Sequence, residues 1–274
     1  MFICGWFYFN RLMKNWKQEC IYTFDGSFDG FLTVIFRAFE DKRQPEAIIS
    51  LRESSQLPMG EIVDVATCPE KSTRVRKGIV ERSDNKNLRL VHVAFLSGSP
   101  ESRMLLWRYL QKLFRDESGD FYRNLLDEDV YTLVQEARKV RREAHRFQGF
   151  VRFQRTRDDM YAAAIDPDND VVKLLAPHFR ARFPDRHWLI YDTRRSYGIY
   201  YDLHSVQEVK MADQPFALDS GQIKKHAQSL DEDYYRTLWQ HYYDAINIME
   251  RKNHRQMRGS MPKRYWKYLP EKNY

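Results

Sequence analysis

The spacing of apolar residues predicts the first elements of the chain. Apolar and polar residues alternate over 21–24, which is typical of a short strand. After a turn the apolar residues recur at helical spacing, with Ser27 placed to cap the helix and Pro45 beyond its end. A second strand is predicted over 47–51, and residues 52–69 show no regular pattern. Further helices are expected over about 70–82, 87–96 and 101–115.

The most regular helical pattern lies in the middle of the chain, over about 128–145. Apolar side chains at intervals of three and four residues form one stripe that a core would cover. The opposite side of this helix is basic, and Gly149 is expected to end the helix. The basic side comprises Arg138, Arg141, Arg142, His145 and Arg146.

Four strand-like segments follow, and short turns join them in two pairs. The first pair covers 150–156 and 160–166, and the second covers 188–193 and 197–203. We expect each pair to be an antiparallel hairpin, with a helix over about 171–183 between the pairs. The chain therefore predicts an α+β fold, in which a helical N-terminal half packs on a C-terminal half with an antiparallel sheet covered by helices.

The length of the chain suits one large domain or two closely packed subdomains, of about 21–126 and 127–272. Residues 1–20 are expected to be a poorly defined extension. Within it Met13 is favoured as the start of the native protein, which would place the residues before it upstream.

Two further patterns occupy the C-terminal part. A capping box at 229–232 predicts an amphipathic helix whose apolar stripe extends to Met249. Residues 261–268 then combine basic side chains with tyrosine and tryptophan.

Positive charge is concentrated in two blocks of the chain. The net charge is +7, yet residues 138–157 hold eight Lys or Arg and one acid, and residues 250–274 hold eight basic and two acidic residues. The rest of the chain is therefore net acidic. Such segregation is expected of a protein with a polyanionic partner.

Other features exclude several classes of protein. The three cysteines are scattered and form no C-x-x-C pair, which argues against a disulfide framework or a metal site and favours a reducing cytoplasm. No apolar run approaches the ~20 residues that cross a bilayer, so no membrane partner is expected. The sequence has no glycine-rich nucleotide motif and no G-x-S-x-G motif, and no cofactor is expected.

Four segments resemble the motifs of a bacterial protein family. Its members are described as DNA metabolism or DNA repair proteins, and the domain they share is of unknown function. The four segments are Y-T-F-D-G-S-F-D-G at 22–30, E-A-H-R-F-Q-G-F-V-R-F at 143–153, W-L-I-Y-D-T-R-R at 188–195 and M-P-K-R-Y-W at 261–266. The segments occur in the family's order, so the resemblance covers roughly 21–272 and leaves the first twenty residues outside.

The resemblance implies partners more than chemistry. Members of this family tend to be encoded beside a DNA-repair radical S-adenosylmethionine (SAM) protein, and some are fused to a uracil-DNA glycosylase superfamily domain. The present chain lacks the C-x-x-x-C-x-x-C motif of the radical enzyme and is too short for the glycosylase domain as well. The resemblance therefore implies a DNA-binding accessory protein of DNA repair or base modification. Its expected partners are DNA, the radical SAM protein and a uracil-DNA glycosylase superfamily protein.

The basic residues supply the candidate contacts to DNA. A helix side with Arg138, Arg142 and Arg146 that runs into a strand with Arg152 suits a phosphate backbone, because guanidinium groups bind phosphate oxygens well. The alternative is a solvated helix face. The terminal segment combines rings that stack on bases with cations that hold phosphates, and its alternative is a tail docked on the core. The further candidate contacts are Arg195, Lys263, Arg264, Tyr265 and Trp266.

Three residues are candidates for catalysis if the chain is itself a nucleic-acid-processing enzyme, namely His145, Asp192 and Arg194. His145 has the alternative role of capping a helix end, and Asp192 that of stabilising a turn with an arginine as its ion-pair partner. The enzyme alternative requires the three side chains to converge in a pocket. A further alternative is a protein-interaction scaffold without DNA contact.

Overall fold

The computed structural model describes residues 17–52, 60–211, 216–217, 221–245 and 253–272. These residues form an α+β fold, which confirms the predicted fold class. The chain divides into two compact units, of which the first ends at Lys139 and the second begins at Val140.

The first unit contains a three-stranded sheet with the strand order β2-β1-β3. Strand β1 is Lys17–Phe24, β2 is Arg43–Ser50 and β3 is Ile62–Asp64, and both outer strands run parallel to β1. The side chains of β1 from Cys20 onwards are almost fully buried, as in the central strand of a parallel sheet. The expectation of no regular structure was wrong for β3, because three largely exposed residues carry no apolar periodicity. Residues 53–59 of that stretch lie outside the described residues.

The helices of the first unit agree closely with the predicted ones. They are α1 (Phe28–Asp41), α2 (Pro69–Glu81), α3 (Asn85–Phe95) and α4 (Pro100–Arg115). The hydroxyl of Ser27 accepts a hydrogen bond of 2.9 Å from the amide of Gly30, so Ser27 caps α1 as predicted.

Helix α5 (Glu128–Phe150) is the longest described element, and the boundary between the two units falls within it. Its start is capped by Asp127, whose Oδ1 accepts hydrogen bonds from the amides of Asp129 (2.9 Å) and Val130 (3.2 Å). The predicted end at Gly149 was wrong, because the helix continues through that residue. Gly149 does not adopt the positive φ of a glycine helix stop, and a Cβ there would meet no atom within 4 Å.

The second unit contains a five-stranded sheet with the order β4-β5-β6-β7-β8. Its strands are β4 (Gln154–Arg155), β5 (Tyr161–Ile165), β6 (Trp188–Asp192), β7 (Tyr197–Tyr201) and β8 (Val206–Val209). The pairs β4–β5 and β6–β7 are antiparallel, which confirms the two predicted hairpins. Strands β5 and β6 are parallel and are connected through α6 (Val172–Arg182).

Three details of this sheet differ from the prediction. The sheet is mixed rather than antiparallel, because α6 returns the chain for a parallel pairing. The strand predicted over 150–156 is reduced to two residues, because α5 extends to 150 and the chain after it is irregular until 154. Strand β8 was missed, because its exposed polar side chains carry no apolar pattern.

The last described part comprises α7 (Glu232–Ala245), α8 (His254–Ser260) and the short 3-10 helices Lys263–Tyr268 and Pro270–Lys272. Tyr268 packs into an apolar cluster with Tyr191 of β6 and Phe216, so the terminal segment covers part of the sheet. Ile246 and Met249 of the predicted stripe lie outside the described residues. Within the described parts, no helix is both long and apolar enough to span a bilayer.

Candidate functional site

The exposed side of α5 carries two of the residues that were predicted to contact DNA, Arg138 and Arg142, and a third arginine, Arg141, that was not among those candidates. Arg141, Arg142 and His145 are exposed together, since helix positions three and four apart are neighbours, and Arg138 is exposed one turn earlier. In the described part of the chain, none of the three arginines pairs with a carboxylate. Their guanidinium groups are therefore available to an anion from solution.

The next turn of α5 has a structural role. The Nη2 of Arg146 donates a hydrogen bond of 3.1 Å to the carbonyl of Gly259, so this side chain connects α5 to the end of α8. His145 lies beside it, with Nδ1 at 3.1 Å from Oε1 of Gln148 on the same helix. Arg146 is thus partly withdrawn from the exposed basic side.

Glu143 lies on the buried side of the same helix and organises the second unit. Its side chain accepts hydrogen bonds from the amides of Asp168 (3.0 Å) and Asn169 (2.8 Å) and from the hydroxyl of Tyr265. Burial alone would raise the pKa of Glu143, but these hydrogen bonds outweigh it and hold the pKa below the ordinary value. The acidic residue in the central motif therefore fastens the 168–169 loop and the terminal segment to α5.

Two other arginines that were predicted to contact DNA are instead bound to carboxylates of the protein. Arg152 donates from Nη2 to Oε1 of the buried Glu271 at 2.7 Å, and its guanidinium lies 5.4 Å from the ring centre of Trp239. Arg264 forms an ion pair with Asp168 and lies 3.5 Å from an oxygen of Glu143. Both guanidinium groups are held in place within the second unit.

Asp192 ends β6 and is fully buried. Its Oδ1 accepts hydrogen bonds from the amides of Arg194 (2.9 Å) and Arg195 (3.0 Å), and its Oδ2 lies 2.9 Å from Nη1 of Arg195. Burial raises the pKa of Asp192, although the adjacent Arg195 lowers it in part. Arg194 in turn donates from Nε to Asp166 at 2.8 Å. These contacts are those of a turn stabilised by its own aspartate.

The structure does not bring the three candidate catalytic residues together. Asp192 and Arg194 are neighbours in the turn after β6, whereas His145 lies on the exposed side of α5. Among the described residues, no hydrogen bond or ion pair joins His145 to either of them. None of the three lines the cleft of the second unit whose walls are the end of α5, the end of α6 and α7.

The terminal segment is largely docked on the core. Tyr265 is buried and packs edge-on against Phe147, with 4.7 Å between the ring centres and 61° between the ring planes. The indole of Trp266 is half-buried and donates to the carbonyl of Met261 at 3.1 Å. Lys263 remains exposed, with its ammonium 5.9 Å from the ring centre of Trp266. The rings of this segment are mostly engaged within the protein.

A cleft of about 690 Å³ in the second unit was not predicted from the sequence. Aromatic and basic side chains line much of it, including Phe153, Tyr161, Phe183, Tyr235, Trp239, Arg155, Arg182 and Arg236. The sequence indicated only one wall of the cleft, which is α7. The capping box and the start of the amphipathic stripe predicted this helix, but nothing in them indicated that it borders a cleft. No group of three His, Cys, Asp or Glu side chains suited to a metal ion occurs in the described ranges.

Two polar groups in the cleft are unusual. The Nη2 of Arg236 is buried and has no hydrogen-bond partner among the described residues. One turn earlier on α7, the carboxyl of Glu232 accepts a 2.8 Å hydrogen bond from the amide of Arg155, and burial raises its pKa. The carboxyl therefore turns into the cleft toward β4 instead of closing a capping box with Ser229.

These features define an α+β protein whose second unit has an exposed basic helix side and a cleft with aromatic and basic walls. Within that class, the chain belongs to the family of domains of unknown function named DUF4130, which matches residues 100–271. The match includes α5, the five-stranded sheet and the terminal segment, and residues 21–99 lie outside it. No curated protein and no solved structure matches the chain.

Proposed function

We propose that this protein binds DNA as an accessory component of DNA repair or base modification. The observation that supports the proposal is the exposed side of α5, where Arg138, Arg141 and Arg142 have no carboxylate partner within the described residues. The resemblance of four sequence segments to DNA repair proteins points in the same direction.

The spacing of these arginines suits a phosphate backbone. A helix rises about 1.5 Å per residue, so Arg138 and Arg142 lie roughly 6 Å apart along the axis of α5, which is about two of the ~3.4 Å rises between successive phosphates along a duplex axis. Guanidinium groups that bind phosphates release counterions, and the affinity then falls steeply with salt. Such contacts hold a protein on DNA without reading the base sequence.

The proposed partner enzyme is the radical SAM protein that the resemblance implies. In this arrangement the present chain holds the DNA, and the partner supplies the radical chemistry. Copurification of the two proteins, with and without DNA, tests this part of the proposal. A complex that forms only in the presence of DNA would indicate that DNA bridges them, and a complex that forms without DNA would indicate direct contact.

The DNA proposal is tested by measuring the affinity for single-stranded, duplex and lesion-bearing DNA at two salt concentrations. The informative variant is the triple substitution Arg138→Ala, Arg141→Ala and Arg142→Ala. We expect at least a 10-fold loss of affinity, of similar size for every DNA sequence, and a flatter salt dependence by about 0.9 for each lost phosphate contact.

The matched control removes three exposed positive charges elsewhere, with Lys86→Ala, Arg89→Ala and Arg180→Ala. Equal losses in the two triple variants would overturn the assignment to α5, because general electrostatic attraction would then explain the binding. If the wild type binds no DNA and still captures the partner protein, the scaffold alternative replaces the DNA proposal.

A further inference from the structure

The cleft of the second unit lies between elements that supply different side chains. The end of α5 and the segment after it contribute Arg152 and Phe153, the end of α6 contributes Arg182 and Phe183, and α7 contributes residues from 232 to 239. Its volume of about 690 Å³ lies within the usual range of small-molecule sites.

The aromatic residues of the cleft form one group whose rings pack on each other and a second group that is more exposed. The ring of Phe153 meets those of Phe179 and Phe183 at right angles, with 5.5 Å and 5.6 Å between ring centres. On α7, Tyr235 and Trp239 line the same cleft, yet they are 53% and 39% exposed. A flat apolar ligand would remove these two faces from water, which is a substantial gain for aromatic side chains.

The polar groups of the cleft are a hydrogen-bond donor on Arg236 and an acceptor on Glu232, and they suit a ligand with hydrogen-bonding groups along one edge. The side chain of Arg236 is 19% exposed, and its Nη1 contacts Gln222 at 3.2 Å and Asp233 at 3.6 Å, the only contacts of this guanidinium with described residues. The buried Nη2 without a partner loses its hydration and gains nothing, which is unfavourable unless a ligand supplies an acceptor. The carboxyl of Glu232, one turn away, provides an acceptor beside this donor.

Arg182 adds a charge that is not neutralised within the described residues. It is exposed, lines the cleft and lies 5.6 Å from the ring centre of Phe183, with no carboxylate partner in the described ranges. Arg152 and Arg155, by contrast, are paired with Glu271 and Asp159. An anionic group on the ligand would therefore be drawn to Arg182.

We infer that this cleft binds a purine nucleotide unit. The base lies against Tyr235 and Trp239, its hydrogen-bonding edge meets Arg236 and Glu232, and its phosphate pairs with Arg182. A purine offers the larger face for stacking and carries adjacent acceptor and donor groups on one edge. The unit is either a free nucleotide or an unstacked nucleotide within a strand, since both present the same chemistry. The inference does not depend on DNA binding by α5.

The test is direct titration of the full chain with dGMP, dAMP, dCMP and dTMP, with the matching nucleosides and with inorganic phosphate. We expect the purine monophosphates to bind more tightly than the pyrimidine ones, and the nucleosides to bind more weakly. A purine-containing single strand, titrated against the triple arginine variant of α5, distinguishes the two sources. Tighter binding of the strand than of dGMP or dAMP then identifies a nucleotide within a strand, and equal or weaker binding identifies the free nucleotide.

Three variants locate the site. Arg236→Gln and Tyr235→Leu are each expected to weaken purine monophosphate binding by roughly 10-fold, through loss of a charged donor and of a stacking face. Arg182→Ala is expected to weaken the monophosphate but leave the nucleoside unchanged. Tyr131→Leu is the matched control, because Tyr131 is a tyrosine of α5 outside the cleft and is as exposed as Tyr235.

The controls separate this inference from the DNA proposal. The triple arginine variant of α5 should lose affinity for duplex DNA and keep its affinity for monophosphates, whereas Arg236→Gln should do the reverse. The inference is overturned if millimolar monophosphates do not bind, or if phosphate competes as well as dGMP. It is also overturned if Tyr131→Leu and Tyr235→Leu weaken binding equally. Thermal unfolding of each variant shows whether it is folded.

Discussion

The arginines of the second unit fall into two groups that differ in what surrounds them. Arg195, in the turn after β6, is bound to a fully buried carboxylate and to two backbone carbonyls, and Arg152 is bound to a buried glutamate. Arg141 and Arg142 on α5 are exposed and, among the described residues, have no carboxylate partner. The same residue type therefore holds the fold together in one region and remains available to a ligand in another.

This difference limits what a count of positive charge can indicate. The block at 138–157 contains eight basic residues, but Arg146, Arg152 and Arg155 of that block contact a carbonyl or a carboxylate. A guanidinium paired with a carboxylate, as in Arg152 and Arg155, contributes little field at a distance, because the carboxylate offsets its charge. Arg146 keeps its charge, but its hydrogen bond to the carbonyl of Gly259 holds it in place. The polyanion-binding surface of the proposal is accordingly smaller than the charged block. Substitutions that separate stability from binding test this distinction.

The largest effect is expected from Asp192→Ala. It would leave the half-buried Arg195 without its carboxylate and the amides after β6 without an acceptor, so we expect a loss of about 3–5 kcal/mol of unfolding free energy. Denaturant unfolding measures it. Asp192→Asn keeps a side-chain oxygen for those amides and should lose clearly less. If the two variants were equally stable, the amide contacts would contribute nothing.

Glu143→Gln is expected to cost about 2–3 kcal/mol at neutral pH, because four donors around Glu143 lose a charged acceptor. The pKa of Glu143 is lowered in the folded state, so its stabilising contribution exists above the unfolded value of 4.5 and disappears as the pH falls through the folded pKa. The wild type should therefore lose more stability on acidification than the variant does. Unfolding curves at neutral pH and below pH 4 compare them, and identical pH profiles would contradict this role.

Arg264→Ala is expected to have a smaller effect, of about 1 kcal/mol, since this side chain is 45% exposed and solvent screens its ion pairs. Affinity for DNA should change little. A large loss of affinity with unchanged stability would move Arg264 from the structural group of arginines into the binding group. Parallel measurements of thermal unfolding and DNA affinity distinguish the two results.

Arg142→Ala is expected to change the unfolding free energy by less than about 0.5 kcal/mol, because the side chain is exposed and has no ion-pair partner in the described residues. Its affinity for DNA should fall about equally for all sequences. Lys139→Ala is a suitable comparison, since the ammonium of Lys139 is already paired with Glu136 at 2.6 Å. A destabilised Arg142→Ala variant would remove the contrast between the two groups.

The helices could be predicted because their information is local. Periodic apolar residues, Ser27 as a cap and the spacing of residues 130–144 each depend on neighbours within a few turns. The two hairpins were predicted for the same reason, since a short turn joins adjacent strands. The parallel pairing of β5 with β6 was not predicted, because it depends on how α6 packs between them.

The sequence did not indicate which arginines are paired within the protein and which are exposed, because the pairing partners lie far away in the chain. Glu271 meets Arg152 across 119 residues, and Tyr265 meets Glu143 across 122. No pattern within a segment indicates such contacts. The cleft was missed for a similar reason, since its walls come from α5, α6 and α7 and its most informative feature, the unpartnered Nη2 of Arg236, appears only in three dimensions.

The terminal segment has a consequence for how the second unit is made in the cell. Residues 263–272 supply the partners of Glu143 and Arg152 and place Tyr268 in the apolar cluster with Tyr191. While the ribosome is still translating, the strands of this unit emerge with that cluster uncovered, with Glu143 lacking its contact to Tyr265 and with Arg152 lacking its contact to Glu271. The unit reaches its final packing only after the segment has left the exit tunnel. During that interval the nascent chain presents a surface for chaperones to protect.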